Sequence, residues 1–220
     1  MAIIAHASIN EQGKAKGGQA GDQTGREVCT RQWYNKPWDY VIRFHDPVMR
    51  EKVAKCMEMA AKNDKIGYDQ NQRNTLLNLA RKYNYDVSRV TEPCETDCSA
   101  LVSVACMYAG VPESNLTYKG NCATTRTLKN SLQNTGRVDV YKSPLYTQKS
   151  DKLLRGDILL KEGAHVVVVI KADELKNVET IARECLAGKW GNGAARRVAL
   201  QNAGYDYAAV QKKINELLRG

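Results

Sequence analysis

The chemistry available to this chain rests on two side chains far apart in sequence, the thiol of Cys98 and the imidazole of His165. Cys98 lies in Cys94-Glu95-Thr96-Asp97-Cys98-Ser99-Ala100-Leu101-Val102, and small or apolar residues recur at Cys98, Leu101, Val102, Ala105 and Ala109. That spacing predicts a helix starting at Cys98 and stopping at Gly110. Thr96 or Asp97 can cap its free N–H groups. A thiol in the first turn faces the positive end of the helix dipole, which is expected to lower its pKa and raise the thiolate fraction. Position alone equally suits a buried structural thiol, because free cysteine is among the most buried residue types. His165 shifts the balance. It opens the second of two apolar runs in Arg155–Ile170, which flank a short polar link containing Gly163 and read as a β-hairpin. A helix start bearing a thiol, packed on a sheet that presents an imidazole, is the general design of a Cys–His hydrolase. Cys98 is then the candidate nucleophile and His165 the candidate base.

Asp97-Cys98-Ser99, a following helix, then Gly156-Asp157-Ile158-Leu159 and His165 on a strand together resemble the NlpC-type papain-like cell-wall peptidases and the related CHAP amidohydrolases. The resemblance covers residues 66–170. It implies an α+β fold with helices packed on an antiparallel sheet, Cys98 as nucleophile and His165 as base. It also implies a tyrosine upstream of the thiol, for which Tyr68 in Ile66-Gly67-Tyr68 is the candidate at a wider spacing than usual. Those families carry a polar residue after the histidine that orients the imidazole. Here the strand ends at Ile170 and runs into the charged stretch 171–177, which offers none. Residues 6–25 are glycine-rich and polar and predict mostly loop, a mobile arm on the plainest account. Stretches of the form His-Ala-Ser…Gly-Asp-Gln-Thr-Gly look like the start of phage-encoded lysins from gut bacteria. This arm is therefore expected to fold back, with His6, Asp22 or Gln23 completing the site.

The elements around these residues set the rest. With 220 residues and an apolar fraction of 43%, the chain can hold one ordinary domain and a small appendage. The net charge of +9 suits an acidic polymer, whether nucleic acid, anionic membrane or bacterial wall. No reader motif argues for nucleic acid, and no apolar run is long enough to span a bilayer. The first residues lack the pattern of a signal peptide. The expected location is a host cytoplasm until release to the wall. Seven cysteines at unpatterned spacings predict free thiols. Cys94 and Cys98 are half of a zinc spacing, but with three histidines and no second close cysteine pair no metal is expected, and no cofactor.

Along the chain, Arg31–Arg43 packs Trp33, Tyr34, Trp38 and Tyr40 around Pro37 and reads either as a groove wall or as a small cluster under the N-terminal loop. Tyr40–Arg43 is expected as a strand, Pro47–Lys62 and Gln70–Tyr83 as helices either side of a Gly67-Tyr68 turn, and Val138–Tyr141 as a strand. This order places two helices before the nucleophile helix and the sheet after it.

Beyond the connector 171–177 the pattern is helical, in three segments near 178–187, 194–202 and 206–218. Leu186-Ala187-Gly188-Lys189-Trp190-Gly191-Asn192-Gly193, Arg196, Leu200 and Ala203-Gly204-Tyr205-Asp206-Tyr207 closely resemble the Cpl-seven-type wall-binding repeat of phage lysozymes and endolysins. The resemblance implies that residues 178–220 form a small three-helix bundle that binds the disaccharide-peptide of peptidoglycan. Its glycines let backbone approach a ligand, Trp190 offers an aromatic face, and Arg196 can pair a carboxylate; Trp190, Gly191, Asn192, Gly193 and Arg196 are the candidate binding residues. Trp190 is equally suited to plug the bundle's core. The expectation is thus a monomeric endolysin: a catalytic domain over residues 1–170, a linker and a wall-binding repeat. Its activity is expected to be an endopeptidase cutting after D-glutamate, or in second place an N-acetylmuramoyl-L-alanine amidase. A non-catalytic wall-binding protein is the alternative of another class.

Overall fold

The computed structural model describes residues 1–173 and 176–219, so Glu174 and Leu175 of the expected linker, and Gly220 at the end of the expected repeat, lie outside the described residues. The chain divides into two compact units, residues 1–172 and 173–220.

The first unit runs β1 (Ile3–Ala7), β2 (Val28–Gln32), β3 (Tyr40–Phe44), α1 (Pro47–Ala60), β4 (Ile66–Tyr68) and α2 (Thr75–Ala80), which tightens into a 3₁₀ turn at Arg81–Tyr83. It continues with β5 (Cys94–Thr96), α3 (Cys98–Tyr108), α4 (Glu113–Leu116), β6 (Thr117–Tyr118), β7 (Asn121–Cys122) and α5 (Leu128–Gln133). It closes with β8 (Val138–Tyr141), α6 (Pro144–Thr147), β9 (Ile158–Lys161) and β10 (His165–Lys171). Six strands form one sheet in the order β2-β1-β10-β9-β3-β8, every neighbouring pair antiparallel, while β4 and β5 pair in parallel beside it. The fold is α+β.

Strand residues alternate between two buried faces. Ala5, Ala7, Ile42, Phe44, Val166 and Val168 join the main core with α1 and α3, and Ile4, Val41, Leu159, Val167 and Val169 join a second cluster with Trp38 and Leu153. Burial on both faces explains the unbroken apolar run after His165. α3 is the central helix, with every residue from Cys98 to Met107 buried, as a helix apolar on all sides requires.

Three expectations are corrected. The sheet does not lie wholly after the nucleophile helix: β1, β2 and β3 precede it, and β8, β9 and β10 follow. Gly67-Tyr68 is not a turn but the end of β4, paired with Glu95 and Thr96 of β5. The second helix begins at Thr75 rather than Gln70, because the Asp69 carboxylate accepts from Asn71 N–H and locks an Asx turn ahead of it.

The second unit comprises α7 (Val178–Leu186), α8 (Gly193–Asn202) and α9 (Tyr207–Arg219). Ile181, Ala182, Cys185, Leu200, Val210 and Ile214 form its core, with Trp190, Tyr205 and Tyr207 packed against it. Asn177 caps α7 through Thr180 N–H. At its other end Gly188 takes φ +77°, its N–H donates to Cys185 and that of Lys189 to Glu184, a Schellman stop. No described helix is long and apolar enough to cross a membrane.

Candidate active site

Cys98 is the first residue of α3, and Asp97 caps it: Asp97 Oδ1 accepts from Ala100 N–H at 2.7 Å and from Ser99 Oγ at 2.9 Å. The capping carboxylate is held by Arg73, whose Nε donates to Asp97 Oδ2 at 2.6 Å and whose Nη2 donates to Oδ1 at 3.1 Å. Arg73 also donates to Ser99 Oγ and to the carbonyls of Cys122 and Ala123, fastening the helix start to the loop after β7. Nothing in the sequence around Arg73 signals this, since its partners lie far along the chain. Cys98 is 5% exposed, and burial first, then the charge of Asp97, pushes the thiol's pKa up to about 12. The N–H groups of Val166 and Ser99 and the Arg73 charge pull the other way without prevailing. The expected lowering is therefore corrected: desolvation outweighs the helix end.

His165 opens β10 opposite Lys161, across a link in which Gly163 takes φ +74°. Its ring stacks on Trp38 at 6.3 Å between centroids and meets His6 edge-on at 5.3 Å. His6 Nδ1 lies 3.0 Å from His165 Nε2, and His6 Nε2 lies 3.6 Å from Cys29 Sγ. His6 stands on β1, next to β10 in the sheet, so it is a strand residue rather than part of a mobile arm. Burial, followed by Arg31, lowers the His6 pKa to about 4; burial, followed by His6, lowers that of His165 to about 3. Both rings are neutral near pH 7. The strand carrying His165 meets the thiol directly, because the next N–H, that of Val166, points at Cys98. Among the described residues no hydrogen bond joins Cys98 to His165, and His165 Nδ1 has no partner.

Cys98 borders a groove of about 300 Å³ with Lys16, Gln70, Asp97, Thr125 and Ala164. Arg73 and Thr124 also border a second hollow of about 480 Å³ between the β6–β7 hairpin and α5. Cys98 thus borders an open cleft although the residue is largely buried.

Residues 4–176 match the profile of the endolysin-like domain. The chain belongs to the endolysin-like domain family. Residues 179–218 match the CW_7 repeat. Over 43 residues the chain is 54% identical to the lysozyme of Streptococcus phage Cp-7, a match that covers 20% of this chain and 13% of that relative's length. No solved structure matches the chain.

The endolysin-like domain brings some of the other candidates together and not others. Tyr68 is buried, its pKa pushed up to about 12 by burial first and then by Cys98, and its hydroxyl accepts from Gln70 Nε2 at 3.1 Å. Asp22 gives both oxygens to the backbone N–H groups of Thr24, Arg26, Glu27 and Val28, and so folds its own loop. Gln23 donates to the carbonyls of Ala20 and Gly21, which engages its amide within that loop. Trp38 and Cys29 stand at the imidazole pair, although the sequence marks only the aromatic stretch and not the cysteine. In the CW_7 repeat, Trp190 donates to Glu184 and packs edge-on to Tyr205. Arg196 donates to Gly191 O at 2.9 Å and Asn192 Oδ1 at 2.6 Å, holding the glycine turn ahead of α8.

Behind the site, Glu95 is 3% exposed, and both its carboxylate oxygens lack a protein partner. Burial first, then the charges of Glu27, Asp69 and Glu11, pushes its pKa up to about 8. Among the described residues no group of three His, Cys, Asp or Glu side chains is placed to hold a metal ion. A carboxyl whose folded pKa exceeds the unfolded value stabilises most below the unfolded value, and that contribution is lost as pH rises through the folded one. His6 and His165, lowered in the fold, act oppositely: their contribution is present above about 6.5 and lost as pH falls toward 4 and 3. Between about pH 7.5 and 8.5 both histidines are nearly all neutral in either state while Glu95 titrates, so stability is expected to fall there by up to about 1 kcal/mol per pH unit. Urea midpoints across that window should decline for the native chain and flatten for Glu95→Gln. Equal slopes would show that Glu95 carries no excess proton.

Proposed function

We propose that this chain hydrolyses an amide bond in the stem peptide of bacterial peptidoglycan by a Cys98/His165 mechanism of the NlpC type, with the C-terminal unit holding it to the wall. The observation that supports this reading is the site itself: Cys98 borders a cleft, and its thiol is reached by the N–H of the strand bearing a neutral imidazole whose Nε2 is engaged by a second ring and whose Nδ1 has no hydrogen-bond partner among the described residues. Membership of the endolysin-like family, the CW_7 repeat and a relative named lysozyme agree on the polymer.

With the thiol and imidazole both neutral, proton transfer and attack are coupled rather than starting from a preformed ion pair. His165 Nδ1 takes the Cys98 proton as Sγ bonds to the carbonyl carbon. The oxyanion is held by the Cys98 N–H at the start of α3 and by the Tyr68 hydroxyl, which its raised pKa keeps protonated as a donor. The imidazolium then protonates the departing amine, leaving a thioester. His165 takes a proton from water as the water oxygen attacks the thioester; the C–S bond breaks, releasing the carboxylic acid, and the imidazolium returns the proton to the sulfur. His6 is the orienting group of His165, on the strand beside β10 rather than after it. The first choice of bond is the one after D-glutamate and the second that between muramic acid and L-alanine.

The test is digestion of purified sacculi followed by mass spectrometry of the released fragments. A new free carboxyl within or at the base of the stem peptide, paired with a new amine, supports the reading and identifies the bond. New reducing sugar ends with intact peptides would replace it with a glycosidase.

A further inference from the structure

His6 and Cys29 face each other directly in the β1–β2 ladder, so strand register brings the sulfur to 3.6 Å from His6 Nε2. On its other side His6 Nδ1 lies 3.0 Å from His165 Nε2. These two contacts form one chain of atoms, Cys29 Sγ to His6 to His165, whose free end is His165 Nδ1. Each neutral ring carries one proton on one of two nitrogens, and the partner at one nitrogen decides the state of the other. For His165 Nδ1 to take a proton from a thiol it must be bare, so Nε2 must carry the hydrogen and donate to His6 Nδ1. His6 must then carry its own hydrogen on Nε2, and that N–H needs an acceptor.

We propose that Cys29 is a positioning residue for the reaction: its sulfur accepts the Nε2–H of His6, fixes that ring's tautomer, and through it keeps His165 Nδ1 bare toward Cys98. This rests on the Cys98/His165 reading above. Without the acceptor, His6 Nε2–H has no partner within a ring that is 3% exposed. The imidazole then gains by turning into the Nδ1–H form, which donates to His165 Nε2 and obliges His165 to carry its proton on Nδ1. A His165 in that form meets the thiol as a donor and cannot act as its base. Burial holds the Cys29 thiol in its neutral state, with Asp22 adding to the effect, so the sulfur presents lone pairs and no charge to the ring. The sequence gives no hint of this role, since a cysteine in a short strand is ordinary core material.

The test uses the full chain, ¹⁵N-labelled, with Cys29→Val, which matches the side chain in size and strand preference but accepts no hydrogen bond, and Cys29→Ser, which restores an acceptor. Imidazole ¹⁵N shifts at pH 7 should show both native rings protonated at Nε2. In Cys29→Val the Nδ1–H form of His6 should grow. Release of wall fragments should fall about tenfold in kcat with KM unchanged, less than the ~10²–10⁴ expected of the base itself. Cys29→Ser should recover part of both. A native His6 protonated at Nδ1 would overturn the proposal even if neither variant folds, and so would unchanged His6 shifts in Cys29→Val. The tautomer measurement needs no turnover. Failure of the Cys98 mechanism would instead show as lysis by Cys98→Ala, with the imidazole shifts unaffected.

Discussion

Cys98→Ala in the full chain is expected to release fragments from sacculi at least about 10³-fold more slowly than the native protein, with its unfolding midpoint little changed. The effect is large because the proposed bond-forming atom itself is removed, while the capping carboxylate, its Arg73 clamp and the cleft remain. The fold loses only the packing of one buried sulfur atom, and alanine is the best helix former at the start of α3. Cys98→Ser should be nearly as inactive. An imidazole with a pKa of about 3 is a weak base, and a hydroxyl holds its proton far more tightly than a thiol does. The same neutral pair predicts the pH dependence. In the proposed mechanism His165 acts unprotonated, so kcat/KM is expected to show no acid limb until pH approaches 3, and burial holds the thiol neutral up to about 12. A flat profile between pH 5 and 8 is the expected result. A thiolate–imidazolium pair formed before substrate arrives would instead make Cys98 react quickly with iodoacetamide at pH 6, and that reaction should be slow here. Wall lysis by Cys98→Ala at the native rate would remove the cysteine mechanism outright.

The parts of this arrangement that local chemistry dictates were legible in the chain. Gly163 between two apolar runs, the second β-branched, forces the hairpin that starts β10 at His165, and Asp97 ahead of an apolar repeat forces the start of α3 at Cys98. The C-terminal helices were equally plain, because Asn177, Gly188 and Asp206 are stop and start signals that act within one turn. What was hidden is non-local. Ile3–Ala7 reads as the lead-in to a glycine-rich loop, yet it inserts between β2 and β10, and only that pairing turns His6 from an arm residue into the neighbour of His165. Arg73 belongs to no pattern until the chain brings Asp97, Ser99 and Cys122 around it. The thiol's acidity failed for the same reason. A helix dipole can be read from an N-cap, but burial on every side of α3 depends on the whole core, and burial prevailed.

Asp157→Ala is expected to destabilise the endolysin-like domain by about 3–5 kcal/mol, the cost of leaving a buried charge without its partner. Asp157 is 0% exposed and accepts from Arg43 Nε at 2.7 Å, Arg43 Nη2 at 2.6 Å and Leu154 N–H at 2.7 Å. Arg43 is itself 7% exposed, with its guanidinium 5.2 Å from the Tyr141 ring centroid and 5.8 Å from that of Tyr146. Removing the carboxylate strands that cation between β3 and two aromatic faces, with the Lys152 carbonyl as its remaining hydrogen-bond acceptor. Exchange of the slowest amide hydrogens in β9 and β10 measures the loss within this unit alone, where a single melting curve for both units would blur it. The double change Arg43→Met/Asp157→Leu removes both charges and should recover most of the loss, because the pair's attraction roughly offsets its own desolvation. If the double variant is as unstable as Asp157→Ala, the geometry of the pair, rather than charge balance, holds the sheet. A loss under about 1 kcal/mol in the single variant would mean that water reaches Arg43 and the pair behaves as a surface one. The distinction bears on the site, since Asp157 stands immediately before β9, the strand that sets the register of β10 and therefore the placing of His165 and of the Val166 N–H that points at Cys98.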